Sequence, residues 1–180
     1  MAPNNSALSI LRLARSGIAL IALPLATFAA LDTAKIDSLT GLKGTWNEAE
    51  RVHKVSQPRN DLPISVDGWA MPPFMGLTSW AAFKPGMKDG STMVMGDMVL
   101  LQDEVNPAMS AALEGGLSVT ALHNHFFYDE PKVYFMHIGG EGEAAALARG
   151  VRKIQEVVKQ TRSGAPRYGG HSPPSRCPGQ

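Results

Sequence analysis

At 180 residues, 44% of them hydrophobic, the chain is long and apolar enough for one ordinary core, and Lys+Arg 17 against Asp+Glu 16 leaves it near neutral. Residues 1–29 hold two Arg and no acid, and residues 159–180 hold four Lys/Arg and no acid, so all 16 acidic groups meet only 11 basic ones in between. An acidic body excludes a reader of phosphate backbones, which needs clustered Lys and Arg, and the lone Cys177 excludes an internal disulfide framework.

Arg12 and Arg15 precede an apolar run from Ile18 to Leu31 that Pro24 interrupts. The run is shorter than the ~20 residues a membrane span needs. A basic flank, a short apolar run and small residues at Thr27 and Ala29 predict a secretory signal over 1–29, cleaved near Ala29 or Ala30. A buried N-terminal helix or an uncleaved anchor is the alternative. No Cys lies near the cleavage region, so lipid attachment is not expected there. The expected location is the periplasm or the medium.

A helix is expected at Ala34–Leu39. Asp61 to Trp69 alternates Leu62, Ile64 and Val66 with other residues before Asp67-Gly68, which predicts a strand entering a hairpin. Leu77 to Phe83 is a second strand, closed by Lys84-Pro85-Gly86. Thr92 to Leu101 is a third, apolar on both faces, with Gly96 and Asp97 in its middle. Asn106 is expected to cap a helix with Pro107 at its first position, Ala108, Met109, Ala112 and Leu113 on one stripe, and Gly115-Gly116 as the stop. Ser118–Phe127 and Lys132–Ile138 are two further strands around a short acidic loop. Gly139 to Gly142 is read as a flexible lead into a helix whose Ala144, Leu147, Ala148, Val151, Ile154 and Val158 recur at helical spacing.

The order from Thr92 is strand, helix, strand, strand, helix. It predicts an α+β fold: a small antiparallel sheet with helices on one face, a split β-α-β (ferredoxin-like) core and an N-terminal hairpin extension. One domain is expected over 30–160. Residues 161–180, with four Pro, four Gly and almost nothing apolar, read as a disordered tail. His171 and Cys177 lie in it, too few ligands for a metal site on their own.

The chemistry concentrates between Thr120 and His137. His123 and His125 are two apart, so on a strand they share a face. If the hairpin turns about Glu130, antiparallel pairing sets His123 opposite His137, with Cβ atoms ~5 Å apart. Three imidazoles with an open position are a ligand set for zinc first, with copper or iron as alternatives. Glu130, Asp97 and Asn124 are candidates for an added ligand or for a partner that orients one. The competing reading has the histidines hydrogen-bonded to one another, to Asn124 or to Asp97, and a one-residue slip would turn His137 to the other face. His123-x-His125-x4-Glu130 resembles the opening motif of cupins, although His137 stands where their pattern has Gly and their second motif is missing. Asp97, in a strand of Met and Val, needs a partner or a turn to offset its burial. Met93, Met95 and Met98 suit Cu(I) as thioethers, but core filling is the commoner job of Met. Trp46, Trp69 and Trp80 are expected in the core, with a sugar-stacking platform as the alternative. Gly139-Gly140-Glu141-Gly142 lacks a dinucleotide or P-loop pattern, so no nucleotide cofactor is expected.

The segments GLKGTWNEAE, PRNDLPISVDG, GLTSWAAF, MVMGDMVL, DEVNPAM, VTALHNHFFYDEPKVYFMHIGGEGE and ALARGVRK, spanning roughly Ile36 to Val158, resemble the LppY/LpqO-like family of secreted bacterial proteins. His123, Asn124, His125, Glu130, Pro131 and His137 match that family's pattern. The resemblance implies export and supplies no reaction. Three functions stay open at this level: a metal-binding or metal-dependent envelope protein, a metal-free hydrolase-like enzyme with a His general base, and a structural or ligand-binding envelope module. Small-molecule or envelope partners are expected, and no nucleic acid. No nucleophile motif names a catalytic residue.

Overall fold

The structure, a computed structural model, describes residues 30–164. The predicted signal peptide, and the tail from 165 with His171 and Cys177, lie outside the described residues.

Helix α1 (Thr33–Thr40) opens on Asp32, whose carboxylate accepts from the Lys35 amide at 2.9 Å, and closes at Gly41 in the left-handed region, φ 69°. Strands β1 (Thr45–Asn47) and β2 (Val52–Pro58) follow, then the hairpin β3 (Ser65–Val66) and β4 (Trp69–Ala70). Its turn has positive φ at both Asp67 and Gly68, the conformation in which a two-residue turn matches strand twist. A 3-10 turn at Pro73–Met75 leads to β5 (Thr78–Pro85) and β6 (Thr92–Leu101). Helix α2 (Gln102–Glu114), β7 (Ser118–His123), β8 (Asp129–Glu130), β9 (Val133–Gly142) and α3 (Ala144–Gly164) complete the chain.

Among the described residues the strands form two antiparallel sheets, one ordered β1-β2-β5-β6-β9-β7 and a small one ordered β4-β3-β8. β9 lies antiparallel between β6 and β7, so β6, α2 and β7 make the split β-α-β unit expected from the sequence. The three helices share one face. Phe83, Val94, Leu100, Met136 and Ile138 point up at Ile36, Ala108, Leu147, Val151 and Ile154, all buried in one cluster. At roughly 1.5–3 kcal/mol for each large apolar side chain removed from water, this face dominates the stability. The helices come close where α3 crosses the end of α2. A Cβ on Gly150 would stand 2.7 Å from the Gly115 carbonyl, so this crossing requires glycine.

The opposite face is covered over only part of its length. Val99, Leu101, Val133 and Phe135 pack beneath Ile64, Met71 and Leu77, which the small sheet and the 3-10 turn bring over them. Along β6 this cover ends abruptly. Residues 98–101 are buried on both faces, whereas Asp97 is half-buried and Met95 exposed.

A charged network ties the two layers together. Arg59, 4% exposed, donates from all five N–H positions: to both Asp61 oxygens, both Glu104 oxygens and the Val99 carbonyl, at 2.6 to 3.0 Å. Glu104, fully buried, also accepts from the Leu101 amide at 2.8 Å. That bond caps α2 and corrects its expected start. The helix begins at Gln102, Asn106 is not its cap, and Pro107 sits inside it.

Four other expectations change. β9 continues through Gly142, so the Gly139–Gly142 run is strand paired with β6 from Met95 to Thr92, not a flexible lead. α3 continues through Gly164, four residues into the segment read as tail. β2 was not foreseen, because its only buried side chains, His53 and Val55, include one that does not read as apolar. Trp69 and Trp46 are exposed and Trp80 is half-buried beneath the Lys54 ammonium at 4.3 Å, so the tryptophans are not core residues.

Candidate functional site

Where the cover of the outer face ends, β6, β9 and β7 set their polar residues side by side. Asp97 and His137 are direct cross-strand partners. On the far side of β9, Ala121 pairs with His137 and His123 with Phe135, after an irregularity between Val119 and Ala121. The expected opposition of His123 and His137 is therefore corrected: the register is shifted by two residues. The shift has a local cause. The buried Asp129 carboxylate accepts from the Val133 amide at 2.8 Å, and the Asn124 amide donates to the Val133 carbonyl at 2.6 Å. These bonds fix the start of β9 and end β7 at His123. A shift of two preserves the face, so His123 and His137 remain neighbours, now on a diagonal.

The rings converge. His123 and His137 stack with centroids 5.0 Å apart, and His123 Nε2 lies 3.1 Å from His125 Nε2. Beyond the end of β7, His125 lies flat on Phe135, centroids 3.5 Å apart and planes within 8°. His137 Nε2 is 4.0 Å from Asp97 Oδ1, and that oxygen is buried without a hydrogen-bond partner. Burial, with the neighbouring His123 and His137 adding to it against Asp97, holds the His125 imidazole below its ordinary pKa. His125 therefore favours the neutral form, in which one ring nitrogen is free to accept a proton or a metal.

The remaining sequence-predicted residues divide. Asn124 spends its side chain on the backbone of β9. Glu130 is exposed in β8, where its backbone pairs with Ser65, and its carboxylate has no ion pair or hydrogen bond among the described residues. Met93 and Met95 share the Asp97 face, while Met98 is core. Trp80 is the cross-strand partner of Asp97 on the other side, a pairing that depends on a register that residue spacing does not specify.

Two nitrogens bound to one zinc at ~2.0–2.1 Å stand about 3.3 Å apart at the corners of a tetrahedron, and the His123–His125 pair meets that spacing. His137, stacked on His123, does not meet it as it stands. Among the described residues, no group of three or more His, Cys, Asp or Glu side chains is arranged to hold a metal ion without adjustment. The donors fit a divalent transition metal in kind: neutral imidazoles with an unsatisfied carboxylate.

An α+β sheet with helices on one face and a His/Asp cluster on the other defines the class. The chain belongs to DUF1529, described as a Domain of Unknown Function (DUF1259), whose family model matches residues 34–157. No curated protein and no solved structure matches it. No helix among the described residues is long and apolar enough to cross a membrane.

Proposed function

We propose that this is an exported bacterial envelope protein of the LppY/LpqO type that binds one divalent transition metal through His123, His125 and His137, with Asp97 as fourth ligand or as the carboxylate that orients His137. The observation that carries the reading is the buried Asp97 oxygen left without a partner beside three imidazoles. A buried carboxylate oxygen with no donor is costly, and a cation shared with the histidines removes that cost. Zinc is the first expectation and copper the second, given Met95 exposed on the same face. Coordination by His137 requires its side chain to turn toward the His123–His125 pair, and its ring is about one-third exposed. Glu130 and Asn124 stay outside the ligand set.

The test is metal analysis of the protein purified without chelators or affinity metals, followed by titration of the stripped protein. One equivalent in the wild type, lost in His123→Ala and in His137→Ala with the fold retained, supports the reading. A folded wild type that takes up neither zinc nor copper overturns it. That outcome would favour a metal-free role for the Asp97–His137 pair as an oriented general base. Export is tested separately: the envelope or medium fraction should yield a chain beginning near Ala30 or Leu31.

A further inference from the structure

A cavity lies on the opposite face of the sheet from the histidines. It measures about 520 Å³ and opens between the C-terminal half of α3, the end of β2 and the loop after it. That volume falls within the ~300–1,000 Å³ of small-molecule sites. Its apolar wall comes from Leu42, Pro58 and Val158, with the core side chains Met98, Leu100 and Ile154 behind them, and its rim is polar. One end is walled by Arg59, held from five directions by Asp61, Glu104 and Val99. This wall is preformed and has no donor left to give.

The free groups are elsewhere on the rim. Arg152 is paired with Glu156, and Arg162 with Glu104 and Asp103. Lys159 has no ion pair or hydrogen bond among the described residues, which makes it the one lining cation without a partner, and the Gln155 side chain beside it makes none either. An apolar wall with one unpaired ammonium and an uncommitted amide at its edge suits one ligand chemistry. We infer that this cavity is a second site, distinct from the histidine cluster, which binds a small organic acid with its apolar body against Leu42, Pro58 and Val158 and its carboxylate against Lys159.

The inference is independent of the metal reading. Its test is calorimetric titration of the folded protein with octanoate and with octanamide, which has the same shape without the charge. Octanoate is expected to bind, with octanamide at least about tenfold weaker; removing one ion pair to a partly exposed ammonium accounts for that order of difference. In Lys159→Gln the two probes should become equal. Gln155→Trp, which fills the cavity from α3, should abolish both, and His123→Ala should leave both unchanged. The site is refuted if octanoate gives no heat, if octanamide binds the wild type equally well, or if Lys159→Gln keeps the preference for the acid.

Discussion

The two faces of the central sheet are built by different rules. The helix face is continuous and apolar, and each helix contributes residues at helical spacing to one cluster. The outer face is discontinuous. Its first part is sealed by a small sheet over Phe135 and Val99, and its second is left open with Asp97, His137, His123 and Met95. The difference separates stability from chemistry. Side chains on the first face can be removed only at the cost of folding, whereas most polar residues on the second can be removed without it, because their backbone is already held by β6 and β9.

The largest effect is expected where the layers are joined. Glu104→Ala leaves Arg59, and Arg162 beside it, without their buried acid. Breaking a buried pair from one side costs about 3–5 kcal/mol, and urea denaturation should show a loss of that size. A change under 1 kcal/mol would mean that the network is solvated. Phe135→Ala comes next. It opens a cavity on the outer face and removes the surface on which His125 lies, so about 3–5 kcal/mol of stability and the metal affinity should fall together. If affinity survives at unchanged strength, the stacking does not position His125.

A smaller effect is expected from His125 alone. Its folded pKa is depressed, so the unfolded chain takes up the proton first as pH falls below the ordinary 6.5. The stability that His125 contributes is therefore complete above that value and declines as pH drops through the folded pKa. His125→Ala should lose that contribution at pH 8 and should show a shallower decline below pH 6.5, read by thermal melts at stepped pH. An unchanged slope would assign the titration to another group.

The smallest effect is at the β5–β6 turn, away from both faces. Glu141 accepts from the Ser91 hydroxyl and the Lys88 and Met87 amides, and these bonds hold its carboxylate below the usual range. That contribution is present above the ordinary carboxylate pKa and is lost as pH falls through the folded one. Glu141→Gln should lower the melting temperature slightly at pH 7, and the gap from wild type should close toward pH 3. A gap that widens in acid would contradict the assignment.

The two faces also differ in how far they could be read from residue types. The helix face was legible because burying one side imposes a period: Leu147, Val151, Ile154 and Val158 mark α3, and Val94, Met98 and Leu100 mark one side of β6. The split β-α-β order followed from those patterns. β2 escaped because His53 occupies an inward position, bonded to Asp37 at 2.6 Å, where a period-2 pattern needs an apolar residue. The start of α2 escaped because its cap is Glu104 reaching back from inside the helix. On the outer face, the shared side of His123 and His137 was legible from parity alone. Their exact pairing was not, since Asp129 and Asn124 set the register through bonds to Val133 that no spacing rule contains. Arg59 and Glu104 gave no signal because they are 45 residues apart in sequence and meet only in the fold.

The most direct measurement of the central claim is an anaerobic calorimetric titration of metal-stripped protein with zinc at pH 7.5, run for the wild type and for Asp97→Ala. Binding of one equivalent by the wild type, with affinity weakened at least about tenfold in Asp97→Ala, is the predicted result, consistent with the 10–100-fold loss that follows removal of an orienting carboxylate. Zinc binding of equal strength in both proteins would contradict the role given to the unpartnered Asp97 oxygen, and no binding by a folded wild type would contradict the metal site itself.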